Sequence, residues 1–104
     1  MAYYALLYYA DLDFVERRTP YREEHLKLAV DAHKRGELLL AGALTEPLDR
    51  ALLVFQGDSP ELARSFAEND PYVRSGVVKR WEVRPWVVVV GGGAVPPLAT
   101  SGGH

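Results

Sequence analysis

Seven consecutive aromatic or aliphatic residues, at positions 3–9, constrain the fold of this 104-residue chain more than any other feature. A short, continuously apolar run of this composition favours a β-strand that is buried on much of both faces. Apolar runs at residues 37–44 and 51–56 have the same character, and the turn between them contains Pro47. These two runs predict a β-hairpin. The chain therefore contains three predicted strands that are apolar on both faces.

The main helix is predicted between the first two strands. Asp13 and Glu16 have the spacing of a capping box, but Pro20 interrupts the segment that follows them. Proline is best tolerated in the first turn of a helix, so the helix should begin near Pro20. It should end before Gly36, which supplies a left-handed C-terminal cap.

A second helix and a fourth strand complete the predicted order. Ser59 caps this helix, which ends near residue 69 because Pro71 biases the residue before it towards extended backbone. Alternating apolar and polar residues at 78–83 predict a half-buried strand. The order β-α-β-β-α-β predicts a ferredoxin-like α+β sandwich, in which a four-stranded antiparallel sheet carries two helices on one face.

The predicted sheet has one face without helices. Both helices must cover the same face because right-handed crossovers are nearly obligatory, and the apolar strands leave the opposite face apolar as well. Large exposed apolar patches are rare in monomers, so we expect a homodimer with a dimeric α+β barrel-type association, its two sheets packed face to face. Residues 1–86 would form this domain. Residues 87–104 would form an extension whose Gly- and Pro-rich end, from residue 91, is a mobile tail.

Composition excludes several classes of function. Twelve Lys and Arg against 14 Asp and Glu give a net charge of −2, which offers no electrostatic footprint for nucleic acid. An RNA-binding sheet also needs basic neighbours for its aromatic residues, and residues 52–56 contain none. Zero cysteines exclude disulfides, thiolate nucleophiles and Cys-ligated metal centres. We expect a cytoplasmic protein without a membrane segment, because no cleavage signal is present and no apolar run approaches ~18 residues.

No metal or cofactor is expected. His25 and His33 are eight positions apart, whereas a helical zinc pair needs a spacing of four. Three glycines at residues 91–93 follow an apolar run, but the prolines at residues 96–97 block the helix whose N-terminus would hold a phosphate.

His25 lies in the middle of the apolar arc of the main helix. At about 100° per residue, Ala29 and Ala32 lie within about 40° of it, and charged residues fill the opposite arc. A buried imidazole needs a hydrogen-bond partner, either a backbone carbonyl or a carboxylate. Asp70, at the end of the second helix, is the candidate carboxylate, although Asp before Pro is also a good N-cap for a short turn. Paired with Asp70, His25 would act as a general acid/base near neutral pH.

Other polar side chains are candidates for binding a substrate. Arg22 lies three residues before His25, at about +60° on the helix, and flanks the same pocket. It would either hold an anionic substrate by a bidentate contact or extend into solvent from the helix edge. Tyr8, Tyr72 and Ser75 are candidate pocket hydroxyls, although aromatic residues at strand ends more often serve packing.

Several motifs together resemble the YciI-like (YCII-related) family. They lie at residues 22–26, 40–44, 70–72, 75–77 and 81–86. The resemblance spans residues 1–86 and implies a ferredoxin-like fold, usually dimeric, with an active site centred on a histidine and an aspartate, which correspond to His25 and Asp70. A few relatives are linked to dehydrochlorination or isomerisation of ring-cleavage products and hydroxylated aromatics. The resemblance therefore also implies chemistry of this kind, which needs no cofactor.

Two functions are compatible with these residues. The first is a cofactor-independent lyase or isomerase, similar to a dehydrochlorinase or a muconolactone isomerase, for a small cyclic or hydroxylated compound. In it His25 is the general acid/base, Asp70 orients His25 and Arg22 contacts an anion. The alternative is a non-enzymatic homodimeric module that binds a small ligand or a partner protein, and whose His–Asp pair only completes a buried polar contact.

Overall fold

The computed structural model describes residues 2–91 as a four-stranded antiparallel sheet with helices. The strands are β1 (Ala2–Tyr9), β2 (Leu38–Leu44), β3 (Arg50–Gly57) and β4 (Arg80–Trp86). The helices are α1 (Phe14–Arg18), α2 (Arg22–Lys34), α3 (Glu61–Asn69) and α4 (Pro71–Arg74), with a 3₁₀ turn (Thr19–Tyr21) between α1 and α2. The spatial order of the strands is β2-β3-β1-β4. The predicted α+β class and the β-α-β-β-α-β order of its main elements are confirmed.

The core lies between one face of the sheet and the two main helices. Burial alternates along β1, with Tyr4, Leu6 and Tyr8 buried and the two residues between them only half-buried. Ala29 of α2 and Phe66 of α3 belong to the same buried cluster, so both helices cover the same face. Full burial of a large apolar side chain contributes roughly 1.5 to 3 kcal/mol.

The opposite face of the sheet is largely apolar across β1, β2 and β3 and charged along β4. Leu7 and Leu52 lie opposite each other across the β1–β3 pair on this face. Leu40 and Leu44 on β2 are exposed. The first three strands thus have the apolar character that their sequences predict, whereas β4 adds Arg80, Glu82 and Arg84 to this face.

The helical segment between β1 and β2 starts earlier than the sequence predicts. α1 begins at Phe14, and Pro20 lies in the 3₁₀ turn rather than in the first turn of the main helix. The Asp13 side chain forms no capping hydrogen bond. Burial of Phe14 in the core, with 3% of its surface exposed, stabilises α1 instead. Tertiary packing thus outweighs the local signal of the proline.

The other element boundaries follow the sequence closely. Gly36 has a φ of +80°, which confirms the left-handed cap of α2. α3 begins at Glu61, so Pro60 and not the predicted Ser59 occupies its N-cap position. The Ser59 hydroxyl, one residue before that position, accepts a hydrogen bond from the Glu61 amide at 3.3 Å. β4 begins two residues later than predicted because Val78 packs in the core and its amide donates to the Tyr72 carbonyl. The predicted tail falls outside the described residues, apart from its first glycine. None of the described helices has the length and apolarity to span a membrane.

Candidate active site

His25 and Asp70 meet within one chain. The His25 Nδ1 atom lies 2.8 Å from Asp70 Oδ2 and 3.0 Å from Oδ1. α2 presents His25 towards the junction of α3 and α4, where Asp70 is the N-cap of α4 and accepts from the Tyr72 amide at 3.0 Å. The cap and the contact with the histidine, which the sequence presents as alternatives, therefore occur together.

Asp70 is completely buried and is surrounded by donors. Besides His25 and the Tyr72 amide, the Tyr8 hydroxyl donates to Asp70 Oδ2 at 2.7 Å. A buried carboxylate requires such donors. Burial, and next the charge of Asp70 and the hydrogen bond to it, raise the pKa of Tyr8 well above its ordinary value, so Tyr8 stays protonated. Tyr8, on β1, therefore helps to hold the Asp70 carboxylate in position.

This geometry selects one tautomer of neutral His25. Because the carboxylate accepts, the proton is on Nδ1 and the lone pair is on Nε2. No side chain or backbone group of the described residues hydrogen bonds to Nε2, and His25 is one of the residues that line a cavity. Nε2 is thus the nitrogen that can accept a proton from a bound compound.

The cavity has a volume of about 410 Å³ and lies between α2 and the strands β2 and β3. Its size is within the range of small-molecule sites. Most of its wall is apolar: Leu26, Ala29, Val30, Leu38, Leu39, Leu40, Ala41, Gly42, Ala43, Ala51 and Leu53. His25, Tyr72, Arg18 and Arg22 supply polar groups. Across residues 2–91, no three His, Cys, Asp or Glu side chains converge in a way that could hold a metal ion.

Tyr72 lies directly against His25, the candidate general acid/base. Its ring stacks on His25 with a centroid distance of 3.9 Å and an interplanar angle of 9°, and it meets the edge of Phe14 at 5.6 Å. Its hydroxyl is buried and has no hydrogen-bond partner among the described residues. Burial raises the pKa of Tyr72, and this effect outweighs the opposite influence of the Arg22 and Arg18 guanidinium groups.

The structure does not bring Ser75 to this cavity, in contrast to its expected role as a pocket hydroxyl. Ser75 lines a separate, shallower depression together with Tyr21 and Asn69. It follows the last residue of α4, and its hydroxyl lies 3.4 Å from the Tyr72 carbonyl and 3.5 Å from the Val77 amide. Its role is therefore local, at the end of this short helix.

The sequence does not predict two features of the site. Arg18 lies on α1, a helix that the sequence does not predict, so no local signal identifies it. Leu26 and Val30 belong to the apolar arc of α2, yet 42% and 48% of their surfaces are exposed because they line the cavity instead of the core. Their angles, about 100° and 140° from His25 towards the side of Arg22, are the one signal that could separate them from core residues.

Comparison with known proteins agrees with this fold. The chain matches the YCII-related domain over residues 1–87. Protein YciI of Escherichia coli O6:H1 and Protein YciI of Shigella flexneri are each 32% identical over 83 residues, which cover 71% of this chain and 85% of each relative. Among solved structures, the 5-chloro-2-hydroxyhydroquinone dehydrochlorinase TftG of Burkholderia phenoliruptrix AC1100, in complex with 2,5-dihydroxybenzoquinone, is similar with a TM-score of 0.69. It is 16% identical, and the match covers 81% of this chain and 92% of TftG, which shows a shared fold. Because the domain match spans nearly all of the described residues, the chain belongs to the YCII-related family.

Proposed function

We propose that this protein is a cofactor-independent lyase or isomerase that moves a proton on a small cyclic or hydroxylated compound. The observation that supports this most strongly is the His25 ring, whose Nδ1 is held by a fully buried carboxylate while the ring lines a cavity of about 410 Å³. A histidine that only completes a buried polar pair has no need of such a cavity.

In this mechanism His25 Nε2 removes a proton from the bound compound. The imidazolium that forms is stabilised by the negative charge of Asp70, 2.8 Å from Nδ1. Return of the proton to another atom of the ring completes an isomerisation, whereas departure of a leaving group completes an elimination. Arg22 lines the same cavity and holds an anionic group of the substrate.

The comparison with TftG guides the choice of a first compound. TftG is a dehydrochlorinase for 5-chloro-2-hydroxyhydroquinone, and loss of HCl requires that a proton be removed along with chloride. A base with a free lone pair supplies that step. The same fold and a suitably placed histidine support testing this chain with the same class of compound.

We also propose that the protein acts as a homodimer whose sheets pack face to face. The apolar surface opposite the helices, with Leu7 and Leu52 near its centre and Leu40 and Leu44 at the β2 edge, supports this association. Monomers rarely leave such a surface in water.

The test measures chloride release from 5-chloro-2-hydroxyhydroquinone, together with deuterium uptake from heavy water into a panel of cyclic ketones and phenols. We expect His25→Ala to reduce the rate by about 10²- to 10⁴-fold, the usual contribution of general acid–base catalysis. Added imidazole should restore part of the lost rate, which it cannot do if the substitution only disturbs folding. Wild-type rates in His25→Ala, or binding of these compounds without any reaction, would favour the non-enzymatic binding module.

A further inference from the structure

The Tyr72 hydroxyl is the polar group that the proposed proton transfer leaves unexplained. Tyr72 is 2% exposed, and its hydroxyl has no partner among the described residues. Buried hydroxyls are nearly always hydrogen bonded, because burial removes their water. Tyr72 lines the cavity, so a bound compound can supply the missing acceptor.

Two positive charges lie near this hydroxyl. Arg18 and Arg22 line the same cavity, and both lower the pKa of Tyr72: Arg22 as a nearby donor to the hydroxyl and through its charge, and Arg18 through its charge. Within residues 2–91, neither arginine has a carboxylate within 4.0 Å. The Arg18 guanidinium also lies 5.1 Å from the centre of the Phe14 ring, and this contact restrains it. One free hydroxyl donor and two unpaired cations suit a negatively charged oxygen.

The rest of the cavity suits a flat apolar group. Ala41, Gly42 and Ala43 form one wall, and Leu26 and Val30 form the other. Ala41 and Ala43 pair with Leu53 and Ala51, which line the same cavity, and they carry only methyl groups, so this wall leaves room beside it. The polar groups and the apolar walls together describe a compound with one charged edge and a planar apolar body.

We propose that Arg18, Arg22 and the Tyr72 hydroxyl bind an anionic oxygen carried on a planar ring, with the ring lying against Ala41–Ala43. The ligand class is thus an aromatic or cyclic conjugated compound with a carboxylate or phenolate group. This inference rests on the proposed function for the role of His25, and it names the class of substrate. The Tyr72 ring stacks on His25 at a centroid distance of 3.9 Å. An oxygen bound by the Tyr72 hydroxyl therefore lies near the imidazole.

Benzoate and benzamide are the matched probes, because they share shape and differ in charge. Titration followed by nuclear magnetic resonance should show that benzoate binds the wild-type protein about tenfold or more tightly than benzamide, as expected for charge-assisted hydrogen bonds. Arg18→Gln and Tyr72→Phe should each remove most of this preference and change benzamide binding little. Arg17→Gln is the control, since it removes the same charge from the neighbouring position of α1, which does not line the cavity.

Tyr72→Phe provides a second measurement that a purely structural role would not produce. It removes a buried unpaired hydroxyl and keeps the ring that stacks on His25, so the melting temperature of the unliganded protein should rise. The additional increase in melting temperature caused by benzoate should fall. A lower melting temperature without ligand would show that the hydroxyl has a structural partner, and would overturn the assignment of Tyr72.

The outcomes separate this inference from the proposed function. Equal affinity for benzoate and benzamide, or no binding of benzoate at millimolar concentration, overturns the anion site, even if turnover depends on His25. Selective benzoate binding that disappears in Arg18→Gln supports the site, even if His25→Ala turns over its substrate normally and the proposed chemistry is wrong. Ala41→Leu should weaken the binding of both benzoate and benzamide, because the larger side chain narrows the cavity. Unchanged binding in this variant would show that the ring lies elsewhere.

Discussion

At the scale of single residues, the site is organised around Asp70. This carboxylate is fully buried and accepts from the Tyr8 hydroxyl, the Tyr72 amide and the His25 ring. Each donor comes from a different element, β1, α4 and α2 respectively. The hydrogen bonds that keep the charge buried therefore also fix the orientation of His25, so stability and the presentation of Nε2 share one set of contacts.

Tyr8→Phe should change how stability depends on alkaline pH. The pKa of Tyr8 is raised in the folded protein by burial and by Asp70, whereas in the unfolded chain it is about 10. Above that pH the unfolded chain releases this proton and the folded protein keeps it. The contribution of Tyr8 is therefore fully present below pH ~10 and declines above it, by up to about 1.4 kcal/mol per pH unit.

Urea unfolding between about pH 7 and pH 11 tests this linkage. Wild type should exceed Tyr8→Phe in the free energy of unfolding by about 1.5 to 3 kcal/mol near neutral pH, because a hydrogen bond to a charged group is lost. This difference should shrink above pH ~10. Tyr3→Phe serves as the control, since the Tyr3 side chain is outside this network. A difference that stays constant up to the highest pH would contradict the raised pKa of Tyr8.

At the scale of elements, the contacts at the two ends of α2 fix this helix relative to β2, and these two elements form opposite sides of the cavity. Arg22 is the first residue of α2. Arg18 is the last residue of α1, which the 3₁₀ turn joins directly to α2. Its C-terminal end turns at Gly36 into β2, and His33 Nδ1 bonds to the Leu38 carbonyl at 2.7 Å. α2 is thus held at both ends beside the strand that forms the opposite wall.

Gly36→Ala should destabilise the protein through its backbone alone. Gly36 has a φ of +80°, and a Cβ at this position would meet no atom within 4 Å, so the cost is that of the left-handed conformation, about 1 to 2 kcal/mol. Gly42→Ala is the matched control, because its Cβ also meets no atom and no positive φ is required there. It should be neutral or slightly stabilising. Equal thermal stability of the two variants would show that the cap of α2 does not require the left-handed conformation.

At the scale of the whole molecule, the sheet separates two surfaces with different roles. One face carries the helices, the core and the cavity. The other carries the apolar residues that the proposed homodimer would bury. A charge placed on that second face should therefore affect association and leave the site intact.

Leu52→Glu should convert the proposed dimer into a monomer. Leu52 lies on β3 opposite Leu7, on the face away from the helices, and an unpaired charge buried between two sheets is costly. Light scattering after size exclusion should show a dimer for wild type and for Leu12→Glu, a control at a loop position that is 75% exposed. Circular dichroism checks that both variants fold. A monomeric wild-type protein at micromolar concentration would contradict the face-to-face association.

The elements of this fold are determined largely by local sequence. Apolar runs, Gly36 and Pro71 identify the strands, the end of the main helix and the break before α4, because these signals act over a few residues. The inward position of His25 also follows from the sequence, since the period of the helix places it among Ala29 and Ala32.

Only the tertiary structure decided how these residues form a site. Tyr8 and Asp70 are 62 positions apart, and no periodicity in the sequence relates them. Burial of Phe14 forms α1 and thereby brings Arg18 to the cavity, whereas the end of α4 leaves Ser75 on another surface. The sequence by itself therefore determined the four strands, the two main helices and which histidine faces inward. Contacts between distant segments decided which donors reach Asp70 and which charges reach the cavity, because such contacts depend on packing rather than on local preference.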